Sequence, residues 1–239
     1  MIDLHAHVLP GLDDGVCHEH EALLAVKQAL SVGFNQIVAI AHVRPEIYEN
    51  SKNMILEATS SLNHTLLQHG IDAQLLSGAE YYLVPELTKQ FSMGLLLTVN
   101  NTGNYLLVEL PKLQLPLQLN SILFDLQLLG VTPILAHPER NQEISQNPAI
   151  LINLVKRGVL VQITAGSLMG LFGRDTKKVT EFLLRKRLVH VMASDMHGPG
   201  RRMSIVRKAI RRLKCLVGEK DAHLILKDNP KLIIQGRTA

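Results

Sequence analysis

The chain has 239 residues, 46% of them hydrophobic and 4% aromatic, with a formal net charge of +4. That length suits one α/β barrel of roughly 250 residues and buries a full aliphatic core without staples. Its two cysteines, Cys17 and Cys215, lie far apart in no paired spacing, which argues against a disulfide framework.

Short β-rich runs alternate with amphipathic helical patterns along the whole chain. A strand over residues 1–5 precedes a helix over 19–32, where Leu23, Leu24, Val26, Ala29 and Leu30 recur at helical spacing. A strand over 36–41, a helix over 50–69 and strands over 73–78 and 105–110 come next. Then follow a helix over 117–129, a strand over 132–136, a helix over 148–156 and a strand over 159–163. A helix over 175–187, a strand over 189–193 and a helix over 203–217 complete the series. Gly33, Gly70, Gly130 and Gly158 each fall where a helical pattern ends and a left-handed cap is expected. Such alternation predicts βαβ units, a parallel sheet and one closed or nearly closed barrel in a single domain, 1–239.

The start Met1-Ile2-Asp3-Leu4-His5 has neither the basic nor the apolar region of a signal peptide. No apolar run approaches the ~20 residues that cross a bilayer, and a cytoplasmic protein is expected. Positive charge concentrates over residues 174–214. Solvated helix faces explain it as well as an anionic substrate, an acidic partner or an anionic membrane surface does. Nucleic acid is not expected, because the stretch has no interleaved aromatics to stack bases.

The strand ends carry the chemistry. His5 and His7 follow the first strand with Asp13-Asp14 close behind, and His42, Glu80, Glu109, His137, Asp195 and His197 mark five further strand ends. In parallel α/β folds these ends form the face where active sites lie. A lone histidine there is usually structural, and a lone carboxylate usually a cap. Six strands delivering such groups to one rim point to bound cations, which offset the repulsion of clustered carboxylates. His5 and His7, two apart in an extended segment, point to one side. The donors outnumber what one ion takes, so more than one metal is expected. Nitrogen and carboxylate donors without sulfur suit Mn, Fe or Zn.

The segments His5-Ala6-His7-Val8-Leu9-Pro10-Gly11-Leu12-Asp13-Asp14-Gly15, Gly78-Ala79-Glu80, Ala136-His137-Pro138-Glu139-Arg140, Thr164-Ala165-Gly166-Ser167-Leu168-Met169-Gly170 and Ala193-Ser194-Asp195-Met196-His197 resemble the polymerase-and-histidinol-phosphatase (PHP) superfamily. Within it they are most similar to the bacterial tyrosine-protein phosphatases of capsular and exopolysaccharide gene clusters. The resemblance runs from residue 1 to about 214. It implies a distorted seven-stranded (β/α)7 barrel with three divalent metal ions, commonly manganese. By that resemblance His5, His7, Glu80 and Asp195 hold the first ion, Glu80, Glu109 and His137 the second, and Asp14, His42 and His197 the third. Arg140 matches an arginine near the substrate phosphate, and Arg201 or Arg202 a second. The chain departs from its relatives at Ile40-Ala41-His42-Val43-Arg44, where a Thr or Ser usually precedes the histidine and a His or Arg follows it.

The implied reaction is phosphomonoester hydrolysis by a metal-activated water, with Arg140, His42 and Asp195 in the catalytic group. The implied substrate is a phosphotyrosine protein, a membrane-associated bacterial tyrosine kinase with a tyrosine-rich tail. A cysteine-dependent mechanism is excluded, since six residues beyond Cys17 and Cys215 stand Leu23 and Asp221 instead of arginine. Small-molecule phosphatases of the histidinol-phosphate kind, phosphodiesterases and a non-catalytic metal-binding scaffold remain as alternatives.

Overall fold

The computed structural model describes residues 1–239. Seven strands pair in parallel and in chain order: β1 (Ile2–Ala6), β2 (Gln36–Val43), β3 (Gln74–Tyr82), β4 (Tyr105–Glu109), β5 (Thr132–Ala136), β6 (Leu160–Thr164) and β7 (Val191–Ala193). The sheet curls until β7 meets β1. There Ala6 bridges Met196, the Asp195 N–H donates to the His5 carbonyl at 2.9 Å, and the His7 N–H donates to the Met196 carbonyl at 2.8 Å. The result is a nearly closed barrel. The predicted helices wrap it as Glu19–Val32, Lys52–Gln68, Leu119–Leu128, Ala149–Lys156, Arg174–Arg185 and Val206–His223. The four predicted cap glycines all adopt positive φ.

Two-residue periodicity divides each strand between two cores. Residues such as Ile37, Ala39, Leu106 and Val161 join the large cluster between barrel and helices. Their alternates fill the barrel itself: Val38 and Ile40 on β2, Leu76 on β3, Tyr105 and Leu107 on β4, Ile134 and Ala136 on β5, Leu160 on β6 and Val191 on β7. Carried one step further, the same parity aims His42, Glu80 and Glu109 into the upper barrel. β2 and β3 are longer than expected, so His42 and Glu80 are cross-strand partners within the sheet, not residues beyond its end.

β1 breaks the parity. Ile2 and Leu4 point into the barrel, whereas Ala6 belongs to the outer core. Between Asp3 and Ala6 the register with β2 shifts, one extra residue lying opposite Ile37–Ala39. This bulge re-aims the chain and turns His5 and His7 inward with the other strand-end donors.

The barrel floor is closed by a segment that the helical pattern, ending at residue 217, did not anticipate. The last long helix breaks at Gly218 and continues through Leu224–Asp228 into a short helix, Asn229–Ile234. Ile233 and Ile234 belong to the interior cluster. The Tyr105 hydroxyl donates to the Arg237 carbonyl at 2.7 Å and accepts from the Ala239 N–H at 3.1 Å. The basic residues of 174–214 lie mostly on exposed helix faces. Arg212 pairs with Glu181 at 2.8 Å and Lys214 with Glu219 at 3.0 Å, exposed contacts of little energetic weight. No helix is long and apolar enough to cross a membrane.

Candidate metal centre

All nine predicted ligands converge on the upper barrel. Their donor atoms form overlapping groups: His7, Asp14, His42 and His197; His5, His7 and Glu80; His5, His137 and Asp195; His42, Glu80 and Glu109. Two of the nine adopt left-handed backbone, His137 at φ 34° and Asp195 at φ 53°. For non-glycine residues that costs about 1–3 kcal/mol each and gathers at functional sites. The turn at His137 brings its ring back over the barrel, where Ala136 already fills the inward position.

Glu80 sits at the centre, fully buried. Its Oε1 lies 2.9 Å from His137 Nε2. Its Oε2 lies 3.1 Å from His5 Nε2, 3.4 Å from His7 Nε2 and 3.2 Å from His42 Nδ1. Despite these neighbours neither oxygen receives a directed hydrogen bond. The Nε2 atoms of His5 and His7 face each other at 2.8 Å. Imidazole nitrogens aimed at one another and at an unpartnered buried carboxylate are donors arranged for cations, not for one another. The residues therefore fit a metal cluster.

The electrostatics agree. Burial opposes a charge on His7, but Asp13 and Glu80 outweigh it and push its pKa up to about 10. Burial would raise Asp195, yet Arg140, His5, His137 and Arg202 hold it far below the carboxylate range. Asp14 is held down to about 2, chiefly by His197. Glu109 is pushed up by burial and by Glu80. Burial lowers His42 to about 4, leaving the ring neutral. The cluster draws positive charge, whether as protons on its side chains or as the cations that would displace them.

Several positioning residues escaped the sequence reading. Asp13 accepts from His7 Nδ1 at 2.6 Å and from the backbone N–H groups of Gly15 and His42, both at 2.9 Å. It thus fixes the His7 tautomer with Nε2 free for an ion. Gly15 is required beside it, because a Cβ there would lie 2.5 Å from the His7 carbonyl oxygen. β6 supplies no ligand but places Gln162 against His5 Nδ1 at 2.9 Å. With its amide turned so that Oε1 accepts from Nδ1–H, His5 Nε2 is likewise freed. The signal was a polar residue inside the run Val159-Leu160-Val161-Gln162-Ile163.

Arg140 and Arg202 flank the cluster. Arg140 Nη2 donates to Asp195 Oδ2 at 2.5 Å and to Thr164 Oγ1 at 3.0 Å. Arg202 Nη1 donates to Asp195 Oδ2 at 2.9 Å and lies 2.7 Å from His197 Nδ1. Of the two arginine candidates only Arg202 enters. Arg201 is exposed and lies outside the cavity, because the short helix starting at Arg201 turns adjacent side chains in different directions. Both inner guanidiniums overlie Phe172, Arg140 at 3.8 Å from the ring centroid and Arg202 at 5.6 Å. Gly166 leaves room for that ring, since a Cβ would lie 2.8 Å from it. The cavity above the cluster measures about 230 Å³ and is lined by Asp14, His42, Glu109, His137, Asp195, His197 and both arginines, with Arg44, Ile47, Tyr48 and Lys112 at its edge.

The family profile for capsular polysaccharide synthesis, CpsB/CapC, matches residues 1–235. The chain is 34% identical over 238 residues to the tyrosine-protein phosphatase YwqE of Bacillus subtilis, covering 100% of this chain and 93% of that protein. It is 28% identical to the tyrosine-protein phosphatase CpsB of Streptococcus pneumoniae, covering 98% of each. A solved structure described among those of YwqE and CpsB, metal-dependent tyrosine phosphatases, superposes with a TM-score of 0.95 at 34% identity, covering 100% of this chain and 96% of that one. A histidinol phosphate phosphatase from Lactococcus lactis shares the fold at a TM-score of 0.57 and 13% identity, covering 94% of each chain.

Proposed function

We propose that this chain, which belongs to the CpsB/CapC family of capsular polysaccharide synthesis, is a metal-dependent phosphatase that hydrolyses phosphotyrosine on proteins, with residues 1–239 acting as one domain. The observation that carries the reading is the convergence of nine nitrogen and oxygen donors around a buried, unpartnered Glu80, beneath a cavity lined by two arginines that both reach Asp195. The names of its relatives and of the superposed structure support it.

Three divalent ions are proposed, manganese first, with iron or zinc as alternatives compatible with the donors. His5, His7, Glu80 and Asp195 would hold one, Glu80, Glu109 and His137 a second, and Asp14, His42 and His197 a third. Bound there, such ions supply Lewis acidity toward phosphoryl oxygens and ready deprotonation of water. The protein supplies orientation and charge. Arg140 and Arg202 present planar forks matched to the equatorial oxygens of a phosphoryl group. Asp195, held ionised between them, keeps both side chains at the rim. His42, neutral, offers a lone pair to an ion. A tyrosyl leaving group has a pKa near 10, so it departs with less protonation than an alkyl alcohol needs.

For the physiological substrate we propose a membrane-associated bacterial tyrosine kinase. The capsule-synthesis family and the exposed basic helices over 174–214 support this reading. The test is turnover on phosphotyrosine and phosphoserine peptides with elemental analysis of the purified protein. Bound divalent metal, preference for phosphotyrosine, and loss with chelator reversed by manganese are expected. Full activity in a metal-free preparation would refute the reading.

A further inference from the structure

The cavity over the metal centre is polar on almost every side. Of its twelve lining residues, only Ile47 and Tyr48 are apolar, and both belong to the loop after β2. Residues 44–48 form a strap rather than a loose connection. The Arg44 N–H donates to the Tyr48 carbonyl and the Tyr48 N–H to the Arg44 carbonyl, each at 2.9 Å, and Glu46 turns the chain at φ 65°. The strap is anchored from below by buried Asn50, whose Nδ2 donates to the carbonyls of Leu12 at 2.7 Å and His42 at 2.8 Å. Arg44 lies over the Tyr82 ring at 4.4 Å. The Tyr48 ring stacks on His42 at 5.6 Å and 15°.

On this fixed frame Ile47 remains 55% exposed, a large aliphatic side chain held at the mouth of a cavity otherwise made of cations, carboxylates and imidazoles. Burying it requires an apolar group to enter that mouth. A phosphate seated between Arg140 and Arg202 leaves the alcohol part of its ester directed outward. For a tyrosyl ester that part is a phenyl ring, an apolar group that can pack on Ile47 and Tyr48, the apolar lining of the same cavity. A seryl ester has only a methylene to place there.

Resting on the phosphatase reading, we propose that the strap 44–48 is the aryl-recognition wall of the site, with Ile47 as its principal contact and Tyr48 as its fixed backing. Selectivity for phosphotyrosine then comes from this wall as well as from leaving-group chemistry.

Calorimetry on the metal-loaded protein with two inert probes tests it. Phenylphosphonate carries the ring and methylphosphonate does not, and neither can be hydrolysed, so leaving-group chemistry drops out. Wild-type protein should bind the phenyl probe more tightly. Ile47→Ser should lower the phenyl-to-methyl affinity ratio roughly fivefold, the scale of one to two buried methylenes, and Ile47→Leu should restore it. An unchanged ratio in Ile47→Ser, or equal weakening of both probes, would overturn the proposal. So would a wild-type protein indifferent to the ring, even if it dephosphorylates tyrosine peptides. The phosphatase reading fails separately, by absence of that turnover.

Discussion

Replacing Phe172 by leucine would keep an apolar side chain beneath Arg140 and Arg202 but remove the aromatic face on which both rest. A guanidinium over an aromatic ring gains about 0.5–1 kcal/mol when exposed and about 2 when desolvated. The Arg140 side chain is 21% exposed and that of Arg202 28% exposed, and only Arg140 lies in close contact. A combined loss of about 1–1.8 kcal/mol follows, which at 1.4 kcal/mol per decade is roughly five- to twentyfold. The loss should appear in kcat/KM for p-nitrophenyl phosphate and equally in the inhibition constant of inorganic phosphate, because both sense the arginines. Phe172→Tyr, which keeps the face, should retain most of the activity. Gly166→Ala should act in the same direction by pushing the ring from below. The metal content of all three proteins should match wild type. An unchanged phosphate inhibition constant in Phe172→Leu, or a tyrosine variant as impaired as the leucine one, would refute the platform role.

Gln162→Leu removes the partner of His5 Nδ1 and should weaken metal binding about 10- to 100-fold; competition with a chromogenic chelator measures it, and unchanged affinity would count against the role. His190 accepts the Val161 N–H on Nδ1 at 3.0 Å, and burial lowers its pKa below 6.5. The unfolded chain therefore takes up this proton more readily, so the stabilisation is present above pH 6.5 and is lost as pH falls through the folded value. Urea unfolding between pH 8 and 5 should show a shallower acid limb in His190→Gln than in wild type, whereas parallel limbs would refute the assignment. Ile233→Ala empties part of the barrel floor and should cost about 2–5 kcal/mol in the same assay; a loss below 1 kcal/mol would mean the floor collapses onto the gap.

The strands and the converging donors were legible in the sequence because both follow from local rules. Two-residue parity carries Val38 and Ile40 to His42, and Tyr105 and Leu107 to Glu109. The bulge in β1 was not legible: its effect depends on how residues 3–6 pair with β2, a relation between segments some 35 residues apart in the chain. The choice between Arg201 and Arg202 depends on where a four-residue helix begins after Gly200 at φ 139°, which composition does not reveal. Phe172 carries no local signal, because its place under the guanidiniums depends on the room that Gly166, six residues earlier, leaves for the ring. The floor segment was missed because Leu232-Ile233-Ile234 follows Pro230 in a stretch too short to show helical periodicity.

That floor has a temporal consequence. During synthesis all seven strands leave the ribosome before Ile233 and Ile234 do, so the nascent cylinder stays wet at its lower mouth until that segment has emerged. Only then can the interior cluster that includes Val38, Leu76, Leu107 and Ile134 be covered from below, and the packed geometry that ion capture demands follows the emergence of residues 233 and 234.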